Sequence, residues 1–370
     1  MDLKWQKTCV LSPSDVSPSR DDFEVVGTFN AGAVRRGEHV ELLVRVAEQP
    51  IQQDDGWVAI PRYGADSILH VDRMRADDVD ATDPRVIVDR RGNHAYLTSV
   101  SYLRHYRVRC DSIADRSAYR YTGHRILPAA ATEAYGIEDP RITYLNGQYW
   151  ITYVSVSVHG ACTSLCRTDD FETFDRLGVI APNENKDVVL LPERIGEHDR
   201  IAMFHRPVSA TPFGPPEMWY ADSDDGIRFG NHRPLAFELH EPMGRAIDAD
   251  WSSGRVGAGT VPIRVRTSDE GMDGWLHLFH GNRRETTGIG RYCGALMLCD
   301  AEQPWRVTRM SPPVIGPDAV FENEGFVPGV VFPTAWVDIA DRVAIFYGSA
   351  DTHTAVATVS RSQLLGVLNP

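Results

Sequence analysis

Apolar residues along the chain fall in short runs, not in stripes with a helical period. HVELLVRVAE (39–48), QYWITYVSVSV (148–158), DVVLLPERI (187–195), GWLHLFHGN (274–282), RVAIFYGSA (342–350) and TAVATVSR (354–361) are examples. They are rich in Val, Ile, Tyr and Thr and are punctuated by Gly, Pro, Asn and Asp, which is the pattern of half-buried strands between turns. The 23 prolines are spread throughout, which suits many turns and disfavours long helices. A short helix is predicted only at the C-terminal SRSQLLGVLNP (360–370).

A weak internal repeat adds architecture to this pattern. TDDFETF (168–174) and SDDGIRF (223–229) share an acid–turn–aromatic layout after a strand, 55 residues apart. CDSIADRSAYRY (110–121) and LCDAEQPWRV (298–307) read as divergent copies. The spacing is close to that of a four-stranded propeller blade, and about five such units fit the chain. The expectation is therefore an all-β protein, one five-bladed β-propeller over residues 1–370 with short terminal extensions. A pair of β-sandwiches is the competing architecture. No low-complexity segment or linker divides the chain.

Composition narrows the partners. The 370 residues carry a formal net charge of −13, which argues against nucleic acid or an anionic membrane as the main partner. An anionic ligand would require basic side chains gathered locally against that background. No apolar run approaches the roughly 20 residues needed to cross a bilayer, and MDLKWQKTCVLSPSD lacks the features of a secretory signal, so a cytoplasmic location is expected. The six cysteines, at 9, 110, 162, 166, 293 and 299, form no CxxC pair and read as free thiols, with no metal site expected. The Gly-rich segments GRVGAG (254–259) and GIGRYCG (288–294) lack the strand–GxGxxG–helix context of a dinucleotide site. No GxSxG motif suggests acyl transfer.

Propellers place ligands at the central channel, so polar clusters at strand ends are the candidates for chemistry. The densest is YGIEDPRITYLNGQYW (135–150), where Glu138 and Asp139 stand beside Pro140 and Arg141 just before a strand. Asp83 and Arg85 form a second DPR triplet. Read alone, each could be a structural ion pair. Taken in order, GIEDPRIT (136–143), NKDVVLLPE (185–193), HRP (205–207), GWLHLFHG (274–281), the E..G..P..VFP pattern (322–333) and YGSAD (347–351) resemble family 130 of the glycoside hydrolases, the β-mannoside phosphorylases. The likeness runs from about residue 23 to the C-terminus.

The resemblance implies a five-bladed propeller and an inverting phosphorolysis of β-mannosides, β-1,2- or β-1,4-linked, releasing α-mannose 1-phosphate. It implies Asp139 as the general acid, acting through the mannose 3-hydroxyl. An inverting hydrolase needs a second carboxylate to activate water, whereas phosphate is already an anionic nucleophile and needs a cationic cradle instead. Arg167, Lys186 and His205 match that cradle. Asn30, Arg45, Asp83, Tyr135, Glu138, Arg141, Asp187, His280, Tyr347 and Asp351 are the expected sugar-binding or pocket-shaping residues. Arg206 is a further basic candidate. Where some members carry another arginine, this chain has VSVSVHGACTS with His159 as its only basic residue. No cofactor is implied beyond phosphate as co-substrate, and a homo-oligomer is compatible with the family. Two rivals remain: an inverting β-1,2-mannosidase on the same fold, with Glu184, Glu193 or Glu322 activating water, and a propeller that binds glycans without catalysis.

Overall fold

A computed structural model of the chain describes residues 3–51, 56–91, 94–208, 214–237, 250–267, 272–283, 285 and 290–368. The first two residues of GIGRYCG lie outside them. The described elements are nearly all strands, as the apolar pattern requires.

The strands assemble into five antiparallel units of four. The first contains Phe23–Arg36, His39–Pro50, Val100–Arg109 and Arg120–Ile126. The second contains Gly136–Leu145, Gln148–Ser157, Gly160–Thr168 and Asp175–Ala181. One parallel pairing, Gly136 with Ser101, joins these two units. The third runs through Asn185–Leu190, Ile201–Pro207, Trp219–Ser223 and Gly230–Pro234. The fourth runs through Arg255–Ala258, Gly274–Asn282, Tyr292–Cys299 and Val307–Ile315, with Ile263–Val265 paired alongside. The fifth takes Val331–Ile339, Arg342–Ser349 and His353–Ser360 from the end of the chain, and its outer strand, Gln6–Leu11, from the beginning.

The core lies between consecutive units. Leu43, Leu103, Ile137 and Ile151 fill the space between the first and second, and Trp150, Leu165, Val188 and Met203 that between the second and third. Phe204, Tyr220, Trp275 and Phe279 join the third to the fourth, and Leu278, Leu296, Ile345 and Ala357 the fourth to the fifth. A further cluster, with Ala33, Val44, Val46, Val337 and Phe346, joins the fifth unit back to the first.

The four acidic segments that read as a repeat occupy one place: each connects the third and fourth strands of its unit. In two of them the same bonds recur. Asp170 Oδ1 accepts from Glu172 N (2.8 Å) and Thr173 N (2.9 Å), and Asp225 Oδ1 accepts from Ile227 N and Arg228 N (both 2.8 Å). Phe171 then packs back into the core beside Tyr149. In the fifth unit the third and fourth strands, His353–Ser360 and Gln6–Leu11, come from opposite ends of the sequence.

Equal spacing does not hold. First strands begin at Phe23, Gly136, Asn185, Arg255 and Val331, so the first unit is far longer than the 55 residues expected. The extra length is an excursion between its second and third strands. Trp57–Tyr63 pairs with Leu69–Arg75, and a small sheet of Val79–Asp80, Val86–Asp89 and Ala95–Leu97 follows, around Ile60, Val79 and Ile87. The excursion is tied down next to the EDPR strand: Tyr63 N donates to Ala134 O (2.8 Å), and the Tyr96 ring meets the edge of Tyr135 at 6.2 Å. The predicted C-terminal helix is Arg361–Gly366, burying Leu364 and Leu365. Among the described residues no helix is long and apolar enough to cross a membrane, and all six cysteines are free.

Candidate active site

The first strands of three consecutive units share a kink. Pairing register shifts between Phe29 and Gly32, between Glu138 and Arg141, and between Lys186 and Val189. Within each bulge one residue turns left-handed: Asn30 (φ 51°), Asp139 (φ 50°) and Asp187 (φ 56°). Asn and Asp enter this region at less cost than other side chains bearing a Cβ. A bulge bends its strand and re-aims a side chain. The sequence thus places one Asx residue at the bulge of each of these first strands.

Around Asp139 the result is an acid cluster on one arginine. Arg45 donates from Nη1 to Asp139 Oδ1 (2.9 Å), from Nη2 to Glu138 Oε1 (2.7 Å) and from Nε to Ser101 Oγ (3.0 Å). Its guanidinium lies 4.4 Å from the centre of the Phe29 ring. Asn30 Nδ2 adds a second donor to Asp139 Oδ1 at 2.8 Å. Gly348 backs directly onto the Asn30 side chain, where any Cβ would collide. Asp351, also left-handed (φ 48°), belongs to the same electrostatic group. Burial, with Asp139 and Glu138 nearby, pushes its carboxyl up to about 6 against the pull of Arg45 and Arg85.

A basic cluster adjoins it. Arg141 is buried, donating from Nε to Gly259 O (2.7 Å) and from Nη1 to the carbonyl of Asp139 (2.9 Å). Arg206 and His280, also buried, approach Asp187 Oδ2 at 2.8 and 3.3 Å. Burial alone would raise the Asp187 pKa, but Arg206, His280 and Arg141 hold it well below the usual carboxylate range. Gly257 lets the neighbouring strand press against Asp187 and His280. Arg141 Nη2 and Arg206 Nη1 are buried with no hydrogen-bond partner among the described residues. Such orphaned donors are rare in native proteins unless a ligand fills them.

Lys186 stands opposite Arg206 in the strand ladder, partly exposed and without an ion pair among the described residues. His205 is buried between Asn185 and His232, with Nδ1 2.9 Å from Asn185 Nδ2 and Nε2 3.1 Å from His232 Nδ1. Burial, then the neighbouring His232, push it down to about 3. Asp83 is gripped bidentately by Arg85 (2.9 and 2.7 Å) on the excursion, and these bonds hold its pKa down to about 2. Tyr135 packs under Tyr96 of the same excursion.

Two expected residues stand apart from both clusters. Arg167 lies on the third strand of the second unit, ion-paired with Asp175 (2.9 Å) and stacked over Trp150 at 5.2 Å. Its neighbour across the ladder is Trp150, near the far hairpin, whereas the Asp139 bulge lies between Thr152 and Val154. Tyr347 is fully buried and donates to Glu322 Oε1 (2.7 Å) within the core joining the fourth and fifth units. Sequence order reveals neither which strand end a residue occupies nor which face it takes. Conversely, Arg206 proves central to the basic cluster, and Ser101 and Phe332 were not singled out at all. Phe332 packs on His280 at 4.3 Å and under Arg141 at 5.4 Å.

On this all-β scaffold a carboxylate cluster thus adjoins buried arginine N–H groups that have no hydrogen-bond partner among the described residues. Comparison with known proteins identifies the class. Residues 79–369 match the family profile of glycoside hydrolase family 130 described as beta-1,4-mannooligosaccharide phosphorylase, and the chain belongs to that family. It is 34% identical to the beta-1,2-mannobiose phosphorylase of Listeria innocua, over 98% of this chain and 97% of that one. It is 31% identical to the beta-1,4-mannooligosaccharide phosphorylase of Ruminococcus albus, over 59% of this chain and 61% of that one. The solved Listeria innocua enzyme in complex with beta-1,2-mannobiose superposes with a TM-score of 0.81 at 33% identity, covering 97% of this chain and 96% of that one.

Proposed function

We propose that this protein phosphorolyses β-mannosides, with β-1,2-mannobiose as the first substrate to test, giving α-mannose 1-phosphate with inversion. The observation that carries this reading is the two Nη donors of Arg141 and Arg206 among the buried arginine nitrogens that have no partner among the described residues. Arg141 Nη2 and Arg206 Nη1 have no partner among the described residues, while Arg141 Nη1 grips the main chain of Asp139 itself. An anion taken up by these donors, with Lys186 beside them, lies next to the proposed acid. Charge-assisted bonds of this kind are roughly twice as strong as neutral ones.

Asp139 is the proposed general acid. Arg45 and Asn30 fix its orientation, and Glu138, sharing Arg45, is a sugar-binding candidate. Arg206, Arg141 and Lys186 make the phosphate cradle in this reading. His205, neutral at physiological pH, serves it as a hydrogen-bonding group and not as a cation. Arg167 is left outside it. The acids that a hydrolytic mechanism would recruit are committed elsewhere. Glu322 is buried against Lys7 (3.0 Å), Tyr347 and the N–H groups of Asp318 and Ala319. Glu193 pairs on the surface with Arg266 (3.2 Å), and Glu184 accepts from Ala161 N (3.3 Å). In the same reading the five units are blades of one closed propeller formed by the whole chain; the core cluster between the fifth and first units and the N-terminal strand on the fifth sheet support it.

The test is incubation with β-1,2-mannobiose, with and without inorganic phosphate. Mannose 1-phosphate should form only with phosphate, and chelators should not reduce the rate. Free mannose released equally fast without phosphate would refute phosphorolysis.

A further inference from the structure

The E..G..P segment between the fourth and fifth units takes no part in the chemistry described above. Glu322 is its hub. The carboxylate is fully buried, and four groups converge on it: Lys7 Nζ (3.0 Å), Tyr347 OH (2.7 Å) and the N–H groups of Asp318 (2.8 Å) and Ala319 (2.7 Å). Lys7 comes from the N-terminal strand, has a side chain only 7% exposed, and also donates to Gly316 O (2.6 Å). Among the described residues it is the one cation within ion-pair distance of Glu322. The helix that this carboxylate anchors, Val320–Asn323, is four residues long. A single helical turn has no stability of its own in water, so its place is set by what grips it.

The main chain around that turn holds a part of the site. Phe321 O accepts from Ser349 Oγ (2.8 Å), and Glu322 O accepts from Gly329 N (2.9 Å). Ser349 leads into a turn that is left-handed at both Ala350 (φ 49°) and Asp351 (φ 48°). Two more bonds cross from the segment after Glu322 to this turn: Val327 N to Ala350 O (2.9 Å) and Phe326 N to Thr352 Oγ1 (2.7 Å). On its other side the turn is fastened to the first strand of the first unit. Thr28 N donates to Thr352 O and Thr354 Oγ1 donates to Thr28 O, both at 2.8 Å. Two residues further along that strand stands Asn30, the donor to Asp139.

We infer that Glu322, ion-paired to Lys7, is a positioning residue for the substrate pocket, holding the Asp351 turn against the strand that carries Asn30. None of the groups bonded to Glu322 or Lys7 belongs to the acid or the basic cluster, so both act through the 321–329 segment. Without Lys7 the carboxylate is a buried charge without its counter-ion, which is strongly unfavourable. The short helix, the weakest part of the assembly, yields first, and Ser349 and Asp351 move with it. A shift of about 1 Å at a positioning group costs up to about 10²-fold in activity even when its cause lies far from the chemistry. The inference rests on the phosphorolysis reading only for the identity of the ligand that is positioned.

The experiment compares wild type with Lys7→Met, Lys7→Arg and Ser349→Ala, at a temperature well below melting. Met keeps the apolar stem and removes the charge. Hydrogen exchange of the amides of Phe326, Val327, Gly329, Ala350 and Thr352 should quicken about 10-fold or more in Lys7→Met. The KM for β-1,2-mannobiose should rise about 10-fold, with the phosphate KM changed less than about 3-fold. Lys7→Arg, which restores the charge, should recover most of both effects. Ser349→Ala cuts only the bond to Phe321 and should show the same split in smaller measure, which keeps the test in hand if Lys7→Met does not fold. Unchanged exchange in both Lys7→Met and Ser349→Ala overturns the inference. So does a lowered melting temperature with a wild-type sugar KM, which would make the ion pair a brace for the fold alone. Exchange needs no substrate. If wild type makes no mannose 1-phosphate while exchange quickens as stated, the phosphorolysis reading fails and the control of the Asp351 turn by Lys7 and Glu322 stands.

Discussion

Asp187 is the sharpest place to test the electrostatic reading of the site. Its carboxylate is the one described counter-charge for buried Arg206 and also bonds His280 and neutralises part of Arg141. Asp187→Ala strands a buried guanidinium, which costs about 3–5 kcal/mol. At about 2.1 cal/mol/K per residue of unfolding entropy, a chain of 370 residues loses about 1.3 °C of Tm per kcal/mol, so the drop should be about 4–6 °C. The sign with pH is also set. A depressed carboxyl stabilises the fold above its unfolded pKa and loses that contribution only as pH falls through its folded one. The difference between wild type and variant should therefore be constant from about pH 5 to pH 8. Phosphate supplies the discriminating arm. If the anion site adjoins Asp187, phosphate can replace the missing charge, and at 100-fold over its Kd it should restore about 2.7 kcal/mol. The measurement is calorimetric or fluorescence melting with and without phosphate, using chloride at equal ionic strength as control. A loss under about 1 kcal/mol would show that Asp187 is not the counter-ion described. A normal loss with no greater phosphate rescue than wild type shows would remove Arg206 from the cradle.

The remaining predictions concern other parts of the molecule. Asp139→Asn should lower kcat about 10²–10⁴-fold with an unchanged melting temperature, and a mannoside with a better leaving group should recover part of the loss; near-normal kcat would remove Asp139 as the acid. Arg167→Ala should change the phosphate KM less than about 2-fold, because its ion pair with Asp175 is half-exposed and outside both clusters; a large rise in KM would return it to the cradle. Burial holds His205 and His277 down to about 3, so each stays neutral in the fold while the unfolded chain takes its proton near 6.5. Acidification across that interval should drain about 1.4 kcal/mol per pH unit from each, and His205→Gln should remove one share of the slope, as urea melts between pH 4 and pH 6 can measure.

How much of this was legible beforehand follows from what sequence encodes locally. Strands, the acidic turns and the order of motifs are local, and they were read correctly down to the copies at 110–121 and 298–307. The EDPR pair, read alone, was compatible with a structural ion pair, and only the order of the other motifs turned it into a candidate site. The length of the first unit was not legible, because residues 51–99 have strand-like patterning of their own. Arg167 entered the cradle through the resemblance alone, while its own neighbours TDD read as the turn that Asp170 caps, and the structure stands it beside that turn, apart from both clusters. Tyr347 was misplaced because a strand gives alternate residues to opposite faces and a tyrosine suits either. Arg206 was undervalued because its worth lies in what it faces across the ladder, Lys186 on one side and Asp187 at the bulge. The shared bulge on three strands had one faint signal: Asn30, Asp139 and Asp187 are each an Asx residue inside the first strand of its unit.

That shared bulge also resolves how a chain with net charge −13 could hold phosphate. Each kink turns one side chain out of the ladder, and successive units present different charges there. The cluster around Asp139 is net negative, with Glu138 and Asp351 against Arg45. The cluster around Asp187 is net positive, with Arg141, Arg206 and Lys186 against one acid. Arg141 spans the two, holding the Asp139 carbonyl with one nitrogen and leaving another unfilled. An inverting displacement needs a proton donor at the leaving oxygen and an anion on the opposite face of the same carbon. A sugar ring between these poles would have its departing oxygen near the acids and its anomeric carbon open to the cations. The developing positive charge of the ring would then lie between a carboxylate and a phosphate. Surface charge elsewhere is too well screened to disturb this, since exposed charges beyond about 10 Å interact weakly at ordinary salt. The negative surface and the anionic substrate are therefore compatible, because the field that matters is set by a few buried groups on adjacent strands.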